Sequence, residues 1–241
     1  MKTLALVLSL LLAGCATPNP IRNAWTPQDT WWAAASAGGG NLRARDGTLI
    51  HVRATHAQNL RNAYVMVTAV SGIKADLFLL EMDGINAVST VSRDGKNHIG
   101  FSLSMLDQLG DDKDALATIT GHELAHLYYS HGKIRKARAE TARSANQVIG
   151  TVLNQIVPFS GVLASLGTEM LISAFSRDEE READEKGLEW AQKAGFDPCG
   201  SARAMRILEQ AGKTTPIPFL SSHPGHQERI ERAVRFSGKS C

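Results

Sequence analysis

The pentapeptide His122-Glu123-Leu124-Ala125-His126 constrains this chain more than any other feature. On a helix, positions i and i+4 share one face, so two imidazoles project together with a glutamate beside them. Two such rings can grip one Zn²⁺, and the carboxylate is placed to take a proton from water activated there. The pattern points to a zinc hydrolase. A charged helix with two incidental histidines has the same letters, so the flanking residues must decide.

Asp111 and Asp112 ahead of Asp114-Ala115-Leu116 read as an acidic helix start, and Gly132, after a run through His131, stands where a C′ glycine belongs. The motif is therefore expected mid-helix. Leu116, Ile119, Ala125, Leu127 and Tyr128 give it apolar cover, and Gly121 leaves room for another backbone or a substrate to approach. His131 lies five residues past His126, about 140° away around a continuous helix. A metzincin would need glycine at position 129 and histidine at 132, where the chain has Tyr129 and Gly132. His131 is read as a helix-end residue rather than a ligand.

A catalytic zinc needs a third protein ligand and an open fourth position. The candidate lies in Ser176-Arg177-Asp178-Glu179-Glu180-Arg181-Glu182-Ala183-Asp184, on a helix expected to reach about Ala194 and stop at Gly195. Glu180 and Asp184 share a face, so one carboxylate can bind zinc while the other holds a histidine ring by its distal N–H. Alone, the stretch reads as a solvated acidic helix laced with Arg177, Arg181 and Lys186. Beside the first motif it reads as part of a site.

These two motifs, with His223-Pro224, Arg229-Ile230 and Asn86-Ala87 some thirty-five residues before the first, resemble a known group. It is the CAAX-prenyl-protease and HtpX-like zinc metallopeptidase family, in particular its bacterial LoiP-like lipoprotein branch. The resemblance runs from about residue 60 onward. It implies a zincin-like (gluzincin) domain of mainly helical α+β class with a small sheet beside the zinc helix. It further implies one Zn²⁺ held by His122, His126 and Glu180, Glu123 as general base and Asp184 behind the ligands, with Glu182 the runner-up to Glu180. The proline of His223-Pro224 is expected to open the last helix, leaving His223 exposed at the N-cap and able to turn toward the cleft. In this family such a histidine can face the metal. There it would stabilise an oxyanion or occupy the open zinc position, while a plain capping role stays open. Arg229 either orients His223 or pairs with Asp184.

Lys2, the apolar run Leu4 to Leu12, and Leu12-Ala13-Gly14-Cys15 look like a lipoprotein signal over residues 1–14, too short to span a membrane once mature. Cys15 would be lipidated, and Ala16 after it favours the outer membrane. Cys199 and Cys241 then form an even pair in an oxidising compartment, which reads as a disulfide. Residues 15–40 read as a tether with a short helix from Thr26 crowded with Trp25, Trp31 and Trp32, and 41–241 as one metallopeptidase domain. A net charge of +2 gives no reason to invoke nucleic acid.

From residue 59 the pattern alternates: a helix near 59–70, a strand over 75–80, then two strands around Arg93-Asp94-Gly95-Lys96. An exposed edge near Asn86 and Ala87 would receive an extended peptide as an added strand. The uncharged stretch 144–168 is too polar to cross a membrane and reads as a helical hairpin. The expected function is a zinc endopeptidase anchored by lipid on the periplasmic face of the outer membrane, cleaving misfolded envelope proteins. The alternative is a non-proteolytic assembly factor for outer-membrane proteins with a structural zinc. An intact Glu123 argues against it, because a structural site has no use for a base.

Overall fold

The computed structural model describes residues 24–25, 35–43, 49–80, 82, 84–145, 174–215 and 217–241. Cys15 with its signal, the helix expected from Thr26, and residues 146–168 of the expected hairpin lie outside the described residues. What is described is mainly helical with two small sheets, an α+β arrangement. No helix among the described residues is long and apolar enough to cross a membrane.

Strand β1 (Ala24–Trp25) pairs antiparallel with β4 (Asp76–Leu80), and β4 runs parallel to β6 (Asn97–Ser102). Strand β5 (Ala87–Val91) lies antiparallel to β6 at the sheet edge. The β5–β6 turn closes over 92–96, where the Ser92 N–H donates to the Lys96 carbonyl at 2.8 Å and Gly95 takes φ +83°. A side chain there would be strained, which is why glycine sits at that point. Strands β2 (Gly40–Arg43) and β3 (Leu49–Val52) form a separate ribbon. Leu77 and Leu79 of β4 with Ile99 and Phe101 of β6 bury their side chains in the core.

Helix α1 (Ala54–Ser71) starts five residues earlier than expected and buries Ala57, Leu60, Ala63, Tyr64 and Val67 along one stripe. It stops at Gly72, whose left-handed φ of 70° lets its N–H reach the Thr68 carbonyl. Ser102 then caps α2 (Leu103–Leu109), its hydroxyl accepting from the Met105 N–H at 3.0 Å.

Helix α3 (Lys113–Tyr128) is the centre of the fold: every residue from Ala115 to His126 is buried. The Asp112 carboxylate caps it, accepting from the Asp114 and Ala115 N–H groups, and Arg203 clamps the same carboxylate at 2.6 Å. The helix does not run on to His131. It ends at Tyr128, Ser130 turns the chain with φ 57°, and α4 (His131–Ala145) begins at His131, so Gly132 lies in the first turn of the next helix.

Helix α5 (Arg177–Lys193) opens with a capping box between Ser176 and Glu179 and stops before Gly195, as its sequence implies. It lies against α3 backbone to backbone. A Cβ built on Gly121 would sit 2.6 Å from the Gly187 carbonyl oxygen, and one on Gly187 would sit 2.6 Å from the His122 nitrogen. Helix α6 (Cys199–Ala211) meets the start of α3 as closely, with Gly200 against the Asp114 backbone. Short α7 (Pro218–Ser222) and α8 (His226–Ser237) complete the domain. Cys199 at the head of α6 forms a disulfide with Cys241, tying down the last residue.

Because the α3–α5 contact leaves no room for a methyl group against backbone, Gly187→Ala should destabilise the protein by about 1–3 kcal/mol through forced separation of the helices. Urea denaturation measures this. A midpoint equal to wild type would show that the two axes are not held by this contact.

Candidate metal centre

One turn of α3 carries His122 and His126 on the face that looks at α5, and the glycine contact brings the first turns of α5 beside them. The His122 and His126 Nε2 atoms lie 3.0 Å apart. Glu180 reaches in from α5, its Oε1 3.3 Å from His126 Nε2 and its Oε2 3.5 Å from His122 Nε2. His223 comes from the other side, its Nδ1 3.1 Å from His122 Nε2 and 2.9 Å from Glu180 Oε1. The four donor atoms all lie within 4.8 Å of one another, and all four residues are buried.

A metal ion fits these residues on two observations. Asp184 Oδ1 lies 3.0 Å from His122 Nδ1, and a carboxylate there can only accept, so Nδ1 carries the hydrogen and Nε2 presents a lone pair. That lone pair faces the other donors at separations near the about 3.3 Å expected around a tetrahedral zinc with 2.0–2.1 Å bonds. The second observation is Glu123, fully buried beside the cluster with neither carboxylate oxygen hydrogen-bonded. His223 Nε2 lies 3.6 Å from Oε1. A buried carboxylate in that condition marks a place for water or a ligand group.

Arg229 of α8 lies behind the cluster. Its guanidinium donates to both Asp184 oxygens at 2.8–3.1 Å, and Nη1 lies 2.9 Å from Glu180 Oε2. Burial pushes the Asp184 carboxyl up, but the Arg229 charge and the His122 hydrogen bond hold it below its ordinary value. Burial likewise opposes ionisation of Glu180, and the adjacent His223 and Arg229 hold it well below the carboxylate range. Burial, then the neighbouring His122 ring, drive His126 well below its usual value, so it is a neutral ring with a lone pair to give. Burial alone would weaken the Arg229 guanidinium, and Asp184 and Glu180 reverse that.

Two expectations are corrected here. His223 is buried, not exposed, and it closes α7 rather than opening the last helix. The residue before a proline is driven out of the helical region, so Pro224 ends α7 at Ser222. Helix α8 instead starts after Gly225, with φ +87° at its N-cap. His131 heads α4 instead of ending the zinc helix. It is buried, with Nδ1 2.9 Å from His126 Nδ1 and Nε2 3.0 Å from Glu182 Oε2. Glu182 therefore faces His131 and not the donor cluster.

Asn86 and Ala87 are buried at the head of edge strand β5, which packs on α3. The Asn86 N–H donates to the Ser102 hydroxyl at 2.9 Å and its carbonyl accepts from the Ser102 N–H. Sequence reasoning missed Phe175, which stacks on His126 at 3.9 Å between ring centroids and carries the Arg135 guanidinium 4.1 Å from its ring centre. Its place one residue before the Ser176 cap was the available signal.

The sequence profile described as peptidase family M48 matches residues 53–236. The chain belongs to peptidase family M48. The match takes in α1 to α7, most of α8 and every residue of the donor cluster, and leaves out β1–β3 and Cys241. Among curated M48-like relatives, a protease HtpX homolog of Salinibacter ruber is 26% identical over 198 residues, covering 67% of this chain and 68% of that protein. The beta-barrel assembly-enhancing protease of Escherichia coli is 28% identical over 167 residues, covering 65% of this chain and 33% of that protein. The mitochondrial metalloendopeptidase OMA1 of Danio rerio is 32% identical over 141 residues, covering 52% of this chain and 28% of that protein. The chain thus spans about a third of the latter two.

Arg229 is the buried cation that Glu180 and Asp184 share. In metal-free protein, Arg229→Met should cost about 3–5 kcal/mol by leaving both charges uncompensated, while Arg229→Lys should recover part of it. Urea midpoints in excess chelator test this, and equal midpoints for wild type and Arg229→Met would show that another group balances the carboxylates.

Proposed function

We propose that this protein is a zinc endopeptidase, with His122, His126 and Glu180 as protein ligands and Glu123 as general base. The observation that carries the reading is the fully buried Glu123 carboxylate, unpartnered at both oxygens beside four convergent donors. When bound, zinc supplies Lewis acidity toward a carbonyl oxygen and toward water. Glu123 would take a proton from the attacking water and deliver it to the leaving amine. Asp184 holds His122 in the tautomer that donates from Nε2, and Arg229 keeps Asp184 and Glu180 ionised. Strand β5 is an edge of its sheet and packs next to α3, so the substrate would bind along it as an added strand.

A four-donor set is also what a structural zinc has, and this is the one support for a non-proteolytic assembly factor. Glu123 weighs against that alternative, because its unsatisfied charge serves nothing in a closed site. His223 is then a resting ligand: it fills the position that substrate needs and must leave during turnover. Envelope proteins as substrates, and an outer-membrane lipid anchor at Cys15, are supported by the Leu12–Cys15 sequence and by the assembly-enhancing relatives.

Purified protein should carry one zinc per chain, lost more readily in Glu180→Gln and not in Glu182→Gln. Glu123→Gln should retain zinc and lower casein or peptide hydrolysis by about a hundredfold or more. Near-wild-type hydrolysis by Glu123→Gln, or equal zinc loss from both glutamate variants, would reject the assignment.

His223 has an independent test. As a resting ligand it competes with substrate, so His223→Ala at equal zinc loading should raise basal peptide cleavage. A fall of about ten- to a thousandfold in kcat would instead make it an oxyanion donor.

A further inference from the structure

We propose that His131 and Glu182 are positioning residues for His126, acting as a relay from carboxylate to ring to ring that decides which nitrogen of His126 faces the metal. The proposal rests on the reading of His126 as a ligand. With His131 as a neutral ring, the three groups fit one arrangement. Glu182 Oε2 lies 3.0 Å from His131 Nε2, and an ionised carboxylate only accepts, so Nε2 of His131 carries the ring hydrogen. A neutral imidazole has a single N–H, so His131 Nδ1 is left with a lone pair. That lone pair lies 2.9 Å from His126 Nδ1 and accepts its hydrogen. His126 Nε2 is then the bare nitrogen, and it is the atom that faces His122 and Glu180.

The backbone and the packing around this relay are built to hold it. Ser130 is the non-glycine residue with positive φ among the described residues, and its left-handed turn breaks the path that would have carried His131 away from His126. Tyr129 stacks on the His131 ring at 5.3 Å with planes 14° apart, and Phe175 stacks on the His126 ring. Both rings are thereby restrained from rotating out of line. The two histidines of the motif are oriented by different devices. His122 is held directly by buried Asp184, whereas His126 is held through a second histidine by a carboxylate whose side chain is 56% exposed.

The test is zinc retention against excess chelator, with the melting temperature of each metal-free protein read alongside so that folding is scored separately. His131→Phe keeps a buried ring but has no acceptor, and should lose zinc about 10–100-fold more readily than wild type, the range for outer partners of metal ligands. His131→Asn places an amide oxygen where Nδ1 stands and should stay within about threefold of wild type. Glu182→Leu, at an exposed position that folding tolerates, should weaken retention about threefold or more. Glu182→Gln keeps an acceptor and should match wild type. Wild-type retention by His131→Phe, or losses by His131→Asn as large as those of His131→Phe, would overturn the relay. Should His131→Phe fail to fold, Glu182→Leu decides: retention equal to wild type overturns the proposal. Wild type that binds no zinc, or His122→Ala that binds it as tightly, would instead sink the metal-site reading beneath it.

Discussion

The contact between Gly121 and Gly187 is the constraint on which the site depends. Every other pair of residues there would hold the axes of α3 and α5 further apart, since a single Cβ on either side meets backbone at 2.6 Å. Carboxylate side chains are short, and Glu180 and Asp184 reach His126 and His122 at 3.3 and 3.0 Å only because the helices touch. The donor geometry is thus set by main-chain packing, before any metal binds. Such preorganisation is what a metal site requires of its scaffold.

Packing α3 in the middle of the fold has an electrostatic cost. His122, Glu123, His126, Glu180, Asp184, His223 and Arg229 are all buried, and each ionised group there loses its hydration. The structure answers by pairing: Asp184 with Arg229 and His122, Glu180 with Arg229 and His223. Glu123 makes no hydrogen bond at either oxygen, with His223 Nε2 3.6 Å from Oε1. A buried carboxylate with neither oxygen hydrogen-bonded is a local departure from the pairing rule, of the kind that sites retain.

The donor set was legible where it rested on helical periodicity. The i, i+4 spacing placed His122 with His126 and Glu180 with Asp184, and the acidic start at Asp112 and the stop before Gly195 are where the sequence puts them. Illegible were the events that depend on single backbone torsions. A serine at φ 57° ended α3 early and turned His131 inward, and serine is not a residue from which a left-handed break is inferred. At His223-Pro224, the rule that proline begins helices competed with the rule that proline ends them one residue earlier, and the second governed. The parallel pairing of β4 with β6 was also beyond reach, because it needs the hairpin strand β5 to lie outermost, and strand order is a tertiary property. Cys199 and Cys241 needed no torsion, only an even count.

His223 and the strand edge are joined by main-chain bonds. The His223 N–H donates to the Phe219 carbonyl at 2.8 Å, and the Phe219 N–H donates to the Ile85 carbonyl at 3.2 Å, one residue before Asn86. On the other flank the Phe175 N–H donates to the Ser222 carbonyl at 3.0 Å, while the Phe175 ring covers His126. A backbone motion that withdraws His223 from the donors must therefore break these bonds or carry Phe175 and the head of β5 with it. Because helix α7 is only one turn long, it has few bonds of its own to resist being carried. The fourth donor, the aromatic cover and the start of the edge strand are one mechanical unit, and displacing any of them bears on the other two.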